Sequence, residues 1–357
     1  MRRSKLNPKI EIGGRSIGPN EAVYIIAEMS ANHNQKFEDA RRILEAAKES
    51  GADALKLQTY TADTITIPCE NEYFRIEGNS PWAGKKLYDL YQEASTPWEW
   101  QPQLKELADD LGIDLFSTPF DASAVDFLER MDVPAYKVSS FEVVDLPLLT
   151  RIAKTGKPII LSTGMATLGE IEEAVHTIES AGGSQLALLK CTSDYPAIPE
   201  EMNLRTIPDL RRRFQVPVGL SDHCLRVEIA IASVALGACI IEKHLTLSRN
   251  NGGPDSAFSL EPDEFKHMVD AVKSAEKALG NVSYEAAPNE KKNLLFRKSL
   301  FVVKDVKAGE IFTEDNVRSI RPGHGLHTRY LSEVIGKRAR IDIARGRPLD
   351  WKMIGRD

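Results

Sequence analysis

The chain has 357 residues, of which 42% are hydrophobic and 27% charged, and its formal net charge is −6 at pH 7. These proportions are those of a globular protein with a large buried core, so extensive disorder is excluded, and the length suits one large domain with a small one. No basic run exceeds Arg211-Arg212-Arg213, and no apolar run approaches the roughly 18 residues of a membrane helix, so neither nucleic acid nor a membrane is an expected partner.

Two features of the sequence predict a cytoplasmic protein. The basic residues 1–8 are not followed by the apolar segment of a secretory signal. The four cysteines, Cys69, Cys191, Cys224 and Cys239, show no CxxC spacing, and three of them lie in or beside strand-like runs. This distribution favours reduced core thiols over a disulfide framework.

Short apolar runs alternate with segments of helical periodicity between about residues 23 and 280. In residues 37–50, for example, Ala40, Ile43, Leu44 and Ala47 follow the i, i+3, i+4, i+7 spacing of a helix with one buried face. The strand-like runs are residues 23–28, 54–58, 114–118, 135–139, 158–162, 186–192, 216–221 and 239–243. Most are apolar on both faces, which is typical of parallel strands covered by helices.

Eight strand–helix units in about 260 residues predict an α/β fold of the (β/α)8 TIM-barrel class over residues 1–280. An open doubly wound sheet is the alternative, but none of the runs is short and charged, as an edge strand would be. One long, aromatic-rich segment, residues 61–97, interrupts the pattern. It is predicted to be a lid or substrate wall, or else an Ω-loop packed on itself.

The last part of the chain has a different character. Residues 281–295 are polar and aperiodic and are predicted to be a linker. Residues 296–357 contain short apolar runs and glycine turns but no long helical pattern, which predicts a small β-rich domain.

Polar side chains are concentrated at the carboxyl ends of the predicted strands, where TIM barrels carry their active sites. Two lysines and several hydroxyls in this set could bind a small dianion such as a phosphate: Lys56, Lys137, Thr118, Ser139, Ser140, Ser162 and Ser221. Structural ion pairing inside the barrel is the alternative for the lysines.

His223 and His244 follow the last two predicted strands, which are neighbours in a closed barrel. Two neutral imidazoles with open positions suit a divalent transition metal such as Mn²⁺. A single histidine at a strand end is more often a hydrogen-bonded structural residue, but the pairing favours a metal site. The residues alone therefore predict a metal-assisted enzyme acting on a phosphorylated anion.

Several motifs resemble the sialic acid synthase family, in order and along nearly the whole chain. They are Ile26-Ala27-Glu28-Met29-Ser30-Ala31-Asn32-His33-Asn34, Leu55-Lys56-Leu57-Gln58-Thr59, Ser117-Thr118-Pro119-Phe120, Leu161-Ser162-Thr163-Gly164-Met165, Ser221-Asp222-His223, Glu242-Lys243-His244 and Gly253-Pro254-Asp255. The terminal domain, with Arg321-Pro322-Gly323-His324-Gly325, resembles the family's antifreeze-like (SAF) domain. Residues 30–34, 82–91 and 96–100 look most like the pseudaminic acid branch.

The resemblance implies a transferase that condenses phosphoenolpyruvate with an open-chain amino sugar aldehyde. For the pseudaminic branch the sugar is 2,4-diacetamido-2,4,6-trideoxy-L-altrose, and water attacks C2 of the former phosphoenolpyruvate with release of phosphate. Synthases of N-acetylneuraminate or legionaminate, which share this chemistry, are the alternatives within the family. Met29-Ser30 stands where neuraminate synthases more often have Ile-Gly, which disfavours N-acetylmannosamine as the substrate.

The resemblance also implies roles for individual residues. It implies Mn²⁺, or Mg²⁺ or Co²⁺, on His223 and His244, with Glu28 near the reacting centre. It implies phosphoenolpyruvate contacts from Lys56, Thr118, Lys137, Ser139, Ser162 and Ser221, and sugar contacts from Gln58, Tyr195 and Asp255. Arg321 matches a residue supplied by the partner subunit, which implies a domain-swapped homodimer. The family often has Asn where this chain has Ser193, so contacts of that loop are the least transferable.

Two other functions remain open. A Schiff-base aldolase would use Lys137 or Lys56 as its nucleophile and would need that lysine to be desolvated and neutral. A non-catalytic sugar-binding or ice-binding protein is suggested only by the terminal domain.

Overall fold

The computed structural model describes residues 6–78 and 82–355. The prediction that the chain lacks a secretory signal concerned residues 1–8. Residues 1–5 of that segment lie outside the described ranges. The chain divides into two compact units, residues 1–280 and 281–357. No helix in the described ranges is both long and apolar enough to cross a membrane.

The first unit begins with a short antiparallel hairpin, β1 (Ile10–Ile12) and β2 (Arg15–Ile17). Ile10, Ile12 and Ile17 are buried in the same core as the strands that follow. The Glu11 amide donates to Gln185 Oε1 at 2.9 Å, just before the start of a barrel strand, so the hairpin lies at the amino ends of the strands. The sequence analysis did not predict this hairpin.

Within the described residues, eight parallel strands close into a barrel, and the predicted TIM-barrel class is confirmed. They are β3 (Tyr24–Glu28), β4 (Ala54–Thr59), β5 (Asp114–Pro119), β6 (Tyr136–Val138), β7 (Ile159–Ser162), β8 (Leu186–Cys191), β9 (Val218–Asp222) and β10 (Ile240–His244). The barrel closes between β10 and β3, with His244 opposite Glu28. The predicted strands differ from these bounds by at most two residues at either end.

Helices follow the strands and cover the barrel. They are α1 (Phe37–Glu49), α2 (Ala62–Ile65), α3 (Leu87–Ala94), α4 (Gln101–Leu111), α5 (Ala122–Arg130), α6 (Leu146–Ala153), α7 (Leu168–Ser180), α8 (Thr206–Phe214), α9 (Val227–Ala235) and α10 (Pro262–Leu279). Local capping interactions determine where two of these helices begin or end. Thr167 and Glu170 form a capping box that begins α7, and Gly112, with φ 63°, ends α4 in the left-handed conformation.

The long aromatic-rich segment is partly ordered into helices. It contains α2, a 3₁₀ turn (Glu72–Phe74) and α3. Trp82 donates from Nε1 to Pro254 O at 2.9 Å, which ties this segment to the loop after β10. The segment therefore contacts the carboxyl-terminal end of the barrel, as expected for a wall of the site, and is not packed only on itself.

The second unit has its own small core. β11 (Ser299–Val302) and β12 (Val317–Ile320) pair antiparallel, and the one-turn helix α11 (Leu331–Val334) follows them. The core contains Leu300, Val302, Val306, Phe312, Val317, Val334, Ala339, Ile343, Leu349 and Ile354. Isolated bridges rather than long strands connect the rest of this unit.

Candidate functional site

The carboxyl ends of the barrel strands place charged side chains inside the barrel mouth. Side chains alternate along a strand, so residues two positions apart point to the same face. Glu242 and His244 therefore both face inward from β10, while Lys243 between them faces the helices. Lys56 from β4 and Lys137 from β6 enter the same space, and both are almost fully buried.

Glu28 and Lys56 form a buried ion pair in the barrel mouth. Glu28 Oε2 lies 2.6 Å from Lys56 Nζ, and Gln58 Nε2 donates to Glu28 Oε1 at 3.0 Å. Lys56 Nζ also donates to Thr118 Oγ1 at 3.3 Å. Burial raises the pKa of Glu28 to about 7, against the opposing effect of Lys56. Glu28 is thus a carboxyl that can hold a proton near neutral pH.

Glu242 is the carboxylate that joins the two lysines. Its Oε1 lies 3.6 Å from Lys56 Nζ and 3.9 Å from Lys137 Nζ, and it accepts from Ser221 Oγ at 3.3 Å. Lys137 also donates to Ser162 Oγ at 2.7 Å. Two ammonium groups and two carboxylates therefore share one buried space with no net formal charge. An incoming anion would compete with the carboxylates for the same lysines.

The pKa values of the two lysines shift in opposite directions in this environment. Burial lowers the pKa of Lys137 despite the attraction of Glu242. For Lys56 the nearby Glu242 and Glu28 outweigh burial, so its pKa is raised. The pKa of Glu242 is lowered, because Lys137 and Lys56 together outweigh its burial. Lys56 and Glu242 are therefore charged, and the ammonium of Lys137 is the less stable one.

His223 and His244 lie side by side in the mouth, with ring centroids 5.3 Å apart. His223 Nδ1 faces Thr192 O at 2.9 Å, which assigns its proton to Nδ1 and leaves Nε2 as the lone-pair nitrogen. In the described part of the chain, the buried His244 Nδ1 has no hydrogen-bond partner. Burial lowers the pKa of His244, so its ring is neutral.

These two imidazoles fit a divalent transition metal that keeps open positions. Imidazole nitrogens are donors of the kind such ions prefer, and the unpartnered Nδ1 of His244 is a polar atom that a ligand would satisfy. Against the effect of burial, the adjacent Cys191 raises the pKa of His223, so a metal at this ring would compete with a proton. Across residues 6–78 and 82–355, no cluster of three or more His, Cys, Asp or Glu is arranged to hold a metal. A metal here would take two protein ligands, and its remaining positions would be filled by water or substrate.

Aromatic rings form a wall beside the histidines. The Tyr195 ring lies 4.3 Å from His223, 5.1 Å from Phe258 and 5.5 Å from Trp82, measured between centroids. Trp82 belongs to the long segment after β4, and Tyr195 belongs to the loop after β8. The wall gives the histidine side of the mouth an apolar surface against which the carbon skeleton of a substrate can rest.

The remaining predicted sugar residues meet next to Glu28. Gln58 Nε2 donates to Ser30 Oγ at 3.0 Å, and Ser30 Oγ in turn donates to Asp255 Oδ2. The Ala31 amide also faces Asp255 Oδ2, at 3.4 Å. Gln58 and Asp255 are thus brought together through a serine that the sequence analysis did not name as a site residue.

Three other residues named in the sequence analysis form hydrogen bonds elsewhere or lie outside the barrel. Ser139 donates to Glu142 Oε2, three residues along its own loop, and Ser140 accepts from the Gly164 amide at 3.0 Å. Arg321 lies in the second unit, directly after β12, where its side chain is exposed.

Glu242 is the main residue that the sequence analysis missed. It belongs to the Glu242-Lys243-His244 motif but has no predicted role there, although it contacts both lysines. Alternation along β10 could have found it, because a strand that points His244 inward must also point Glu242 inward.

Residues 43–284 match the NeuB family and residues 297–355 match the SAF domain. The chain is 46% identical to the pseudaminic acid synthase of Campylobacter jejuni (strain 81-176) over 92% of this chain and 95% of the relative. It is 43% identical to the pseudaminic acid synthase of Helicobacter pylori, over 91% of this chain and 96% of the relative. The solved structure of the spore coat polysaccharide biosynthesis protein spsE of Bacillus subtilis matches with TM-score 0.67 and 32% identity, covering 98% of this chain and 99% of that one.

Proposed function

The chain belongs to the NeuB family, and from this we propose that it condenses phosphoenolpyruvate with 2,4-diacetamido-2,4,6-trideoxy-L-altrose to give pseudaminic acid and phosphate. The observation that carries the proposal is the joint placement of the Lys56–Glu242–Lys137 cluster and the His223–His244 pair in one barrel mouth. The similarity to two pseudaminic acid synthases over more than nine-tenths of the chain supports the choice of product.

Phosphoenolpyruvate would bind on the two lysines. Its phosphate and carboxylate are anions, and Lys56 and Lys137 are the buried ammonium groups of the mouth. Thr118, Ser162 and Ser221 already contact these lysines or Glu242 and can turn their hydroxyls toward an anion. Ser139 is proposed to join them by turning away from Glu142.

The reaction forms one carbon–carbon bond and one carbon–oxygen bond from water, and it breaks the carbon–oxygen bond to phosphate. C3 of phosphoenolpyruvate attacks the aldehyde carbon, C2 becomes electron-deficient, and water adds to C2 before the bridging C–O bond breaks and phosphate leaves. The water loses both of its protons: one reaches the former aldehyde oxygen, and the other leaves with phosphate when the C2 hydroxyl becomes the ketone. Glu28, with its pKa raised to about 7, is suited to hold the first of these protons, and its carboxylate form can stabilise positive charge at C2.

A divalent ion, Mn²⁺ or else Mg²⁺ or Co²⁺, is proposed to bind to His223 and His244. When bound, it supplies a Lewis acid that polarises the aldehyde. The hydrogen bond from His223 Nδ1 to Thr192 O orients that ring, so its Nε2 is the nitrogen available to the ion.

The sugar is proposed to lie between Gln58 and Asp255 on one side and Tyr195 on the other. The ring contacts of Tyr195 with Trp82 and Phe258 give it a fixed orientation. The acetamido groups and hydroxyls of the sugar supply N–H and O–H donors for the Asp255 carboxylate, and carbonyl acceptors for the Gln58 amide.

We also propose a homodimer in which Arg321 of one subunit reaches the site of the other. Supporting this, large apolar side chains are exposed on the loops after β6, β7 and β8: Phe141, Val144, Met165 and Ile198. Exposed apolar side chains on consecutive loops at one end of a barrel favour a protein partner. Sedimentation equilibrium should give twice the chain mass, 79.4 kDa from 39.7 kDa per chain, and a monomer would contradict this proposal.

The cytoplasm is the proposed location. All four cysteines are free thiols, and Cys191 lies in the site with its Sγ 4.0 Å from His223 Nδ1. A reducing compartment preserves such a thiol.

Phosphate release from phosphoenolpyruvate, measured with a panel of sugars and Mn²⁺, tests the function. The panel holds the L-altrose derivative, the corresponding legionaminate precursor and N-acetylmannosamine. The highest kcat/KM is expected with the L-altrose derivative. A clear preference for either of the others would overturn the substrate, and no phosphate with any sugar would overturn the reaction.

The Schiff-base alternative has one supporting observation, the lowered pKa of Lys137. Borohydride should then trap pyruvate on the protein, and EDTA should leave activity intact. The proposed synthase predicts the opposite on both counts.

A further inference from the structure

Ser30, two residues after the end of β3, has a backbone conformation that is unusual for serine. Its φ is 47°, in the left-handed region where a residue with a side chain is strained and glycine is not. Ser30 is also buried, with 2% of its surface exposed. A strained, buried serine needs a reason other than local turn geometry, because glycine would meet that geometry better.

The Ser30 hydroxyl supplies such a reason. It accepts from Gln58 Nε2 at 3.0 Å and donates to Asp255 Oδ2. Gln58 Nε2 also donates to Glu28 Oε1 at 3.0 Å. The hydroxyl therefore connects the carboxyl at the reacting centre with the carboxylate in the loop after β10.

The two residues after Ser30 also form hydrogen bonds with the loop that carries Asp255. The Ala31 amide faces Asp255 Oδ2 at 3.4 Å. Asn32 Nδ2 donates at 2.9 Å to both Leu245 O and Ser259 Oγ, which lie at the two ends of the loop. Ser259 Oγ then donates to Asp255 O at 2.7 Å. The loop that carries Asp255 is thus attached to the segment after β3 at its start, middle and end.

Among the described residues, both hydrogen bonds to the Asp255 side chain go to Oδ2. This leaves Oδ1 as the oxygen that can accept from a ligand. A carboxylate fixed through one oxygen presents the other in a defined direction. Such a group can discriminate between stereoisomers that place an O–H or N–H donor differently.

We propose that Ser30 is a positioning residue that sets the orientation of the Asp255 carboxylate toward the donors of the amino sugar, and so contributes to sugar selectivity. The proposal rests on the proposed function for the identity of the sugar. The attachment of Asp255 to Ser30 is independent of it.

The test compares two variants that remove the hydroxyl in different ways. Ser30→Gly also relieves the backbone, whereas Ser30→Ala keeps Cβ and the strain. Both should raise the sugar KM about tenfold, the size of one hydrogen bond to a charged group, and leave the KM for phosphoenolpyruvate within about twofold. Gln215→Gly is the matched control, because Gln215 has φ 57° on the exposed end of α8.

A double-mutant cycle with Asp255→Asn gives the second readout. If Ser30 acts through Asp255, Ser30→Gly should raise the sugar KM less than about threefold in the Asp255→Asn background. Independent, multiplicative effects in the cycle would overturn the proposal. Equal rises in KM for both substrates would overturn it as well.

Amide hydrogen exchange, measured without substrate, tests the role of Ser30 independently of the proposed function. Amides in residues 245–260 should exchange faster in both Ser30 variants than in Gln215→Gly, with no substrate present. If the wild type turns over no sugar of the panel, the proposed function fails, and exchange still decides the role of Ser30. Unchanged exchange in that loop would overturn the inference even in an active enzyme.

Discussion

Asp222 and Lys243 lie directly opposite each other on β9 and β10 and form an ion pair, with Lys243 Nζ 2.6 Å from Asp222 Oδ2. Neither side chain is exposed. Lys243 also donates to Cys224 O, and Asp222 Oδ1 accepts from the Cys224 amide at 2.9 Å. The pair faces away from the barrel interior and ties together the two strand ends that carry His223 and His244.

Removing one member of this pair should destabilise the barrel strongly. In Lys243→Met, the Asp222 carboxylate stays buried without its counter-charge, which costs about 3–5 kcal/mol of unfolding free energy. Urea unfolding of the first unit measures the loss. Adding Asp222→Asn should recover part of it, because no buried charge then remains.

Lys307→Met is the control for this prediction, because the Lys307–Asp342 pair is exposed and its loss should change little. If Lys243→Met were as stable as the wild type, the pair would not be the element that joins the strand ends.

Phosphoenolpyruvate should bind more weakly as the pH rises above about 7. A bound anion raises the pKa of Glu28 further, so the protein with Glu28 protonated binds the anion more tightly. Below the pKa of about 7 the proton is already in place, so Glu28 itself should add no further pH dependence to the affinity. Above it, affinity should fall by up to about tenfold per pH unit, with uptake of a proton.

Calorimetry in buffers of different ionisation enthalpy measures this proton uptake. Glu28→Gln is the comparison, because it cannot ionise and should bind phosphoenolpyruvate with little dependence on pH. An affinity that stays constant between pH 7 and 9 in the wild type would show that Glu28 does not sense the anion.

His33 should make the free energy of unfolding of the barrel fall at acid pH. Its Nδ1 accepts from the Gln35 amide at 3.1 Å, its Nε2 lies 3.1 Å from Thr96 Oγ1, and burial lowers its pKa to about 4. Since the unfolded value is 6.5, the unfolded chain binds the proton first, and stability falls as the pH drops from 6.5 toward 4. The loss between pH 7 and 5 should be about 2 kcal/mol.

Urea unfolding of the wild type and His33→Gln at the two pH values isolates this contribution. The variant should lack that part of the acid dependence, whereas His176→Gln, on the exposed face of α7, should keep it. Equal acid slopes in the wild type and His33→Gln would contradict the prediction.

Mn²⁺ should bind at the His223–His244 pair even without substrates. Electron paramagnetic resonance of free Mn²⁺ gives the affinity directly, without an activity assay. His223→Ala and His244→Ala should each weaken binding by at least about thirtyfold, since each removes one of two protein ligands. His267→Ala, exposed on α10, should bind like the wild type. Full binding by His223→Ala would exclude this pair as the metal site.

The barrel could be predicted because its strands are apolar on both faces and evenly separated by helical patterns. The β1–β2 hairpin could not, since two strands of three residues give no readable period. The side-chain directions of Lys56, Lys137 and His244 follow from strand alternation.

Loop residues are harder to predict than strand residues. Ser139 lies one residue beyond β6, where alternation no longer determines direction, and its hydroxyl turns to Glu142. The hydroxyl of Ser30 contacts Gln58 and Asp255, which are distant in sequence. Hydrophobic patterning carries no information about such contacts.

The fate of a single oxygen atom tests the central claim most directly. Phosphoenolpyruvate labelled with ¹⁸O in the bridge between C2 and phosphorus is turned over with the L-altrose derivative and Mn²⁺, and both products are analysed by mass spectrometry. All of the label should leave in phosphate, because the C–O bond breaks after water adds to C2. Label retained in the nine-carbon product, or no nine-carbon product at all, would contradict it.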